Sequence, residues 1–449
     1  MKLARFARPE RADGPPRSRP FSRTATSLGV AAGCYAVAMS VFGTTTSLFL
    51  ADAVHAGPGL IGLYFTGCAV AAVGISLVTG WLSDRVTDRR AALAATALAG
   101  VAGALAFTAV RDYALVFATG AVLLSLNDAY ISQLFAYVKE FAESTRREVT
   151  PFSSAVRSVF SAGWVVGPPA GLFLLAHTGF GLLYTSVACL LLLAALLGRW
   201  LLPAVPAPPG PVVDDAGERG ERRLSGMRRA LAVVPRRTRL LLGAVTAVNV
   251  ADQMYLIAIA LYVTEDLHLS AALVGVMAGV CAALEIPLMI AVGRVADRIG
   301  KLRLVAAAVV LAVVFFCLLP VAGSAPVLIA LQLPNAMWTA VVTSIPMVVV
   351  QQEVPGGTGS VSALYSSTFP LAQLLAGALT GVVAAQAGYR DVFWICAGLC
   401  GLAAVLLLCR RAARGADDGP TRAPGASLRY APSTDGIESR TEEDGRDLT

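Results

Sequence analysis

Four ionisable side chains stand where the chain is otherwise too apolar for charge: Asp128, Arg157, Asp252 and Glu285. Each falls inside an apolar run long enough to cross a bilayer as a helix. A charge at that depth is costly and is usually kept facing a cavity or a partner. A carboxyl cut off from water favours its neutral form, so such an acid can bind and release a proton near neutral pH. That is the chemistry of a proton-coupled carrier. Glu285, two residues before Pro287 in a span otherwise free of charge, is the first candidate for the proton, with Asp252 and Asp128 next. Asp128 and Arg157 lie on neighbouring antiparallel spans and are expected to pair at the same cavity.

Polar recognition groups share these spans. Asn127, Gln133, Asn249, Gln253, Gln332, Asn335 and Gln373 are amides, and Tyr130, Trp164, Tyr255, Trp338 and Tyr365 are aromatics in or beside the same helices. Amides offer planar donors and acceptors, and an aromatic ring offers a flat apolar face. Together they suit a small polyhydroxylated molecule such as a sugar or glycoside. No enzyme chemistry competes. His55, His177 and His268 fall singly at loops, and the eight cysteines lie in or at the end of apolar runs without metal or catalytic spacing. The sequence therefore implies no metal, no cofactor and no catalytic residue.

The spans that position these residues fix the class. The chain has 449 residues, 56% of them hydrophobic and only 14% charged, against roughly 25% charged in an ordinary soluble protein. Within a bilayer the backbone must satisfy its own hydrogen bonds, so the apolar runs are helices. They cover about 28–50, 60–81, 91–110, 113–138, 152–176 and 180–202, then 240–264, 270–292, 304–323, 326–350, 359–387 and 389–409. Residues 1–27 and 410–449 read as disordered tails and 203–238 as a polar linker, leaving two six-helix halves, 28–202 and 239–409. Placing both tails in the cytoplasm puts 33 of the 36 Lys and Arg residues on that side, as the charge rule for membrane loops requires. Arg111 and Arg390 fall outside and Arg157 within a helix. The net charge of +7 is thus topological, and nucleic-acid binding is excluded, since no basic face with interleaved aromatics exists.

The two halves are copies. GWLSDRVTDRR, Gly80 to Arg90, follows the second span, and GRVADRIGKLR, Gly293 to Arg303, follows the eighth. Gly80 and Gly293, Asp84 and Asp297, Arg85 and Arg298, and Glu140 and Glu353 are each 213 positions apart. Parallel six-span repeats are a transporter architecture with the substrate site between them near the bilayer midplane. The fifth span carries Gly163-x-x-x-Gly167-Pro168-Pro169-x-Gly171. Small residues at that spacing form a groove for a close helix, and proline removes a backbone donor and bends its own helix.

The Gly-x-x-x-Asp-Arg loops resemble the cytoplasmic loop signature of the major facilitator superfamily, and the glycine–proline string resembles the antiporter motif of its exporters. The resemblance implies an all-α integral membrane protein of twelve transmembrane helices in two six-helix pseudo-repeats. It also implies gating roles for Asp84, Arg85, Arg89, Arg90, Asp297, Arg298 and Lys301, and for Gly163, Gly167, Pro168 and Gly171. Thr87-Asp88 departs from the usual pattern of the first loop.

A narrower likeness covers Gln133 to Gly171, Met254-Tyr255 and Leu284-Glu285-Ile286-Pro287. These strings resemble the bacterial sugar efflux transporter family. That implies a multi-pass carrier of the cell membrane that exports sugars or glycosides in exchange for protons by alternating access, with no cofactor and the lipid bilayer as its surroundings. Its substrate-binding candidates are Asn127, Gln133, Arg157, Trp164, Asn249, Gln253, Tyr255, Gln332, Asn335 and Gln373. The acids Asp128 and Asp252 depart from the family pattern, and they leave open a multidrug/proton antiporter of the same superfamily.

Overall fold

A computed structural model describes residues 19–83, 88–145, 149–205, 234–353 and 364–417. Asp84 and Arg85 lie outside the described residues, as does most of the linker and of both tails. All regular structure among the described residues is helical. Eleven of the helices are long and apolar enough to cross a membrane. One of these, Val149–Leu196, is interrupted at Gly179 (φ 80°, ψ 178°) and makes two crossings.

The first half contains α1 (Arg19–Leu48), α2 (Pro58–Ser83), α3 (Arg89–Ala109), α4 (Tyr113–Ser144), α5 (149–178) and α6 (180–196). The second contains α7 (Arg236–Leu261), α8 (Ala271–Ile299), α9 (Lys301–Leu318), α10 (Ala325–Glu353), α11 (Thr368–Ala387) and α12 (Tyr389–Asp417). Two ends differ from the sequence reading. Helix α1 begins at Arg19, inside the segment read as a tail, and α12 runs on to Asp417. Arg410 explains the second difference. Its guanidinium pairs with Glu353 and donates to the Arg237 carbonyl at 3.0 Å, which holds the last turns of α12 against α10 and α7.

Local chemistry sets the boundaries. Asp88 caps α3 by accepting from the Arg90 amide at 3.0 Å, and Asp112 caps α4 through the Leu115 amide at 3.0 Å. These bonds satisfy amides that have no partner inside the helix. The repeat is visible in the backbone. Helices α1 and α7 each end in a π-helical turn, Phe49–Ala53 and Tyr262–Asp266, followed by a left-handed histidine. Those histidines are His55 (φ 56°) and His268 (φ 52°), again 213 positions apart.

Each half has its own apolar core, built on an aromatic cluster. Phe49 stacks on Phe107 at 4.7 Å and meets Tyr184 edge-on at 5.3 Å in the first half. Tyr262 meets Phe393 at 5.0 Å in the second. Between the halves, α2 packs on α11, α5 on α8, and α1 on α7.

Candidate functional site

Two cavities open along the seam between the halves. The first, about 260 Å³, is lined mainly by α1, α2 and α4 and holds Asp128, with Gln373 of α11 completing it. The second, about 190 Å³, is lined mainly by α7, α8 and α10 and holds Asp252, Glu285, Tyr255, Gln332 and Asn335. They are copies of one another. Met39 and Asp252, Phe42 and Tyr255, Cys68 and Cys281, and Ala72 and Glu285 occupy matching places in the two walls, each pair 213 positions apart. Trp164 of α5 lines both, so its indole is the partition between them. It is 40% exposed, and its edge lies where a Cβ on Gly43 would meet it at 3.5 Å.

Helix pitch explains the grouping in the second wall. Asp252, Tyr255, Leu256 and Ile259 sit on one face of α7, and Met277, Cys281 and Glu285 are four apart on α8. Gln332 and Asn335 are one turn apart on α10 and bonded to each other, Asn335 Nδ2 donating to Gln332 Oε1 at 3.0 Å. The same Nδ2 lies 3.4 Å from Cys281 Sγ, while Gln332 Nε2 donates to the Leu328 carbonyl at 3.0 Å. Asn335 Oδ1 has no partner.

Other sequence candidates sit elsewhere. The ion pair expected between Asp128 and Arg157 does not form. Arg157 is exposed and its guanidinium lies 4.9 Å over the Phe135 ring, while Asp128 faces the first cavity. The α5 register turns Arg157 away from α4's acid, so proximity in sequence order misled. Asn127 is fully buried beside the cavity wall, donating to Met39 Sδ at 2.8 Å, and its carbonyl accepts from Tyr35 Oη at 2.9 Å. Asn249 donates to Thr368 Oγ1 at 3.4 Å and joins α7 to α11. Gln133 accepts from Arg89 at 3.2 Å near the linker end of the bundle. Gln253 is half-buried on α7 and outside both linings.

Known proteins place this arrangement. A family model described as Major Facilitator Superfamily matches residues 28–250 and again 241–433. Sugar efflux transporter B of Salmonella typhimurium is 32% identical over 378 residues, covering 83% of this chain and 92% of that protein. Sugar efflux transporter A of Escherichia coli is 33% identical over 361 residues, covering 80% and 89%. This chain belongs to the sugar efflux transporters of the major facilitator superfamily. Among solved structures, the nucleoside transporter NupG superposes with a TM-score of 0.70 at 13% identity, covering 87% of this chain and 98% of that one. The POT family transporter PepTSo does so with 0.67 at 13%, covering 88% and 99%. At that identity the likeness is one of fold.

As a membrane transporter of this family, the molecule is sealed at one end of its seam. Far from the linker, α2 and α11 cross with backbone touching backbone. A Cβ at Gly62 would fall on the Cα of Gly381, and one at Gly377 would lie 2.7 Å from the Thr66 amide. The repeat-related crossing of α8 on α5 is looser: a Cβ at Gly275 would lie 3.1 Å from Leu172 and one at Gly279 3.3 Å from Pro169. Nearer the linker, a Cβ at Gly74 or Gly293 would meet nothing within 4 Å. The described helices therefore meet backbone to backbone over the cavities at the far end, whereas the linker-end turns of α2 and α8 are largely exposed.

The α5 motif has two faces. Gly163, Gly167 and Gly171 pack on α1. A Cβ at Gly163 would lie 2.5 Å from that of Ala36, one at Gly171 would lie 2.9 Å from Val41, and one at Gly167 would strike the Ser40 hydroxyl. Ser40 also donates to the Gly163 carbonyl at 3.2 Å. Pro168 turns instead into the second cavity and Pro169 onto α8. The described gating charges form ion pairs within their own halves. Arg89 pairs with Glu140 at 2.9 Å, Arg90 with Asp88 at 3.0 Å, and Lys301 with Asp297 at 3.1 Å, while Arg298 is exposed at the end of α8. Sequence reasoning gave Glu140 and Glu353 the same offset but no role. Each proves to anchor an arginine, Arg89 and Arg410 respectively.

Proposed function

We propose that this transporter exports sugars or glycosides in exchange for protons, with both termini in the cytoplasm. The observation that carries this reading is the pair of repeat-related cavities, polar at one wall and aromatic at the partition, sealed at the end away from the linker. The lysine and arginine distribution supports a cytoplasmic linker end. The open end then faces the compartment from which cargo is loaded. The Salmonella and Escherichia relatives are both called sugar efflux transporters, which supports the same cargo and direction.

The residues divide the work. Trp164 offers its face to the apolar side of a sugar ring, and Gln332, Asn335, Tyr255 and Gln373 offer polar edges around it. A carboxylate away from bulk water is stable only when a proton or a ligand donor satisfies it. Glu285, Asp252 and Asp128 can thus hold a proton or the cargo in turn, which couples the two flows. Loading at the open end lets the halves rock. The α2–α11 and α5–α8 crossings part, the linker end closes, and Arg89, Arg90, Asp297, Arg298 and Lys301, with Asp84 and Arg85, favour one of the two states through their pairings. Counterflow in proteoliposomes tests the reading. Labelled lactose or methyl glucoside should accumulate against its unlabelled form. If no sugar exchanges and a labelled lipophilic cation does, the protein is a multidrug antiporter instead.

A further inference from the structure

The two cavities share one backbone plan but not one charge. Where the first wall has Met39 and Ala72, the second has Asp252 and Glu285; where the first has Asp128, the repeat-related position is Val341. None of the three carboxylates is thus shared between the two halves. No lysine, arginine or histidine lines either cavity among the described residues. The nearest sequence candidate for a counter-charge, Arg157, is turned onto Phe135 and out of both linings.

The amides add an independent sign. Asn335 is only 3% exposed, and its Oδ1 is a buried acceptor with no partner. The amide donors beside it are mostly used, Asn335 Nδ2 on Gln332 and Cys281, and one hydrogen of Gln332 Nε2 on the Leu328 carbonyl. Beside the Tyr255 hydroxyl, which can donate or accept, the second cavity offers acceptors: Asn335 Oδ1 and the carboxylates of Asp252 and Glu285. Leaving a buried acceptor unmet is costly, and hydrogen bonds from a charged donor are the strong ones. The partition adds a ring face beside this acidic wall, and such a face attracts a cation as well as a sugar ring.

From this geometry we propose that the preferred cargo is a sugar bearing a protonated amine, an amino sugar or an aminoglycoside. The ammonium lies between Asp252, Glu285 and Asn335, and the ring lies against Trp164. This rests on the reading of the protein as a sugar exporter and narrows it. It also joins cargo to coupling, because an ammonium and a proton satisfy the same carboxylates and cannot both do so at once. Sugars carrying a carboxylate or phosphate are disfavoured by the same wall.

The test is a binding series on the purified full-length transporter near neutral pH, followed by tryptophan fluorescence or thermal shift. The ligands are glucosamine, N-acetylglucosamine, methyl glucoside and glucuronate. Glucosamine and its acetylated form share the ring and differ in the charge, so glucosamine should bind at least about tenfold more tightly. Glucuronate should be the weakest of the four. In Asp252→Asn, and separately in Glu285→Gln, the ratio of glucosamine to N-acetylglucosamine should shrink toward unity. Equal binding of the first two by the unaltered protein overturns the proposal and leaves the sugar reading standing. If no sugar binds while tetraphenylphosphonium does, both fall. If both variants keep the full ratio, the ammonium is not held where the proposal puts it.

Discussion

The crossing of α2 and α11 can be forced apart by a single side chain. In Gly381→Val the new Cβ would lie 2.7 Å from the Cα of Gly62, where ordinary contact begins at 3.4 Å. The atom it meets is backbone, so no side chain can swing away, and the helices must separate. Overpacking of this kind costs about 1–3 kcal/mol. That cost is borne only by the state in which the far end is closed. The balance between closed and open far ends should therefore shift about fivefold to 150-fold toward opening, at roughly tenfold per 1.4 kcal/mol. Cys68 and Cys281 line the two cavities and report the shift. In sealed vesicles of each orientation, a membrane-impermeant maleimide should label them from the linker side in the unaltered protein. In Gly381→Val, labelling from the far side should rise by the stated factor, read by mass spectrometry at each cysteine. Gly74→Val is the control, since a Cβ there touches nothing in this state. It should not raise far-side labelling. If Gly381→Val labels like the unaltered protein from both sides, the far-end seal does not depend on this crossing.

Three further outcomes follow from the same geometry. Arg410→Ala should lower stability by about 1–3 kcal/mol, because it leaves the largely buried Glu353 carboxylate with the Thr238 hydroxyl but without its guanidinium. Thermal unfolding in detergent reads this, and Glu140→Ala, which removes the carboxylate paired with Arg89 in the other half, should act in the same direction. Trp164→Ala removes the wall shared by both cavities. It should raise the half-saturating sugar concentration about threefold to tenfold while the protein still reconstitutes; unchanged affinity would remove the indole from recognition. Asp88 gives a pH dependence outside the spans. The hydrogen bonds from Arg90, by side chain and by backbone, hold its carboxyl below the usual range. A group so depressed contributes its full stability above its unfolded value of about 3.9 and loses it as acid protonates the cap. Thermal stability should therefore fall below about pH 4, and less steeply in Asp88→Asn.

Much of the fold was legible because bilayer length and repeat offset are strong signals. The matching π turns and the paired histidines sit in the register that Asp84 and Asp297 announce, and the break between α5 and α6 at Gly179 falls where the two apolar runs meet. Cys68 and Cys281 share that offset too, and the pair marks one wall of each cavity. The site was harder, because residue type says which side chains are polar at membrane depth but not which way a helix turns them. Asp252, Glu285, Gln332 and Asn335 converge, whereas Arg157, Asn249 and Gln133 point to other partners. Arg410 was missed because it follows the last apolar run, where charge reads as tail. Only the fold shows that Glu353 lies close enough to hold it.

The central claim is that a cavity carboxyl passes a proton in exchange for cargo, and Glu285→Gln in proteoliposomes addresses it most directly. Sugar export should be driven uphill by an imposed pH gradient in the unaltered protein. In the variant, sugar counterflow without a gradient should persist while the gradient-driven accumulation disappears. Gradient-driven accumulation at the unaltered rate in Glu285→Gln, and again in Asp252→Asn and Asp128→Asn, would contradict the account.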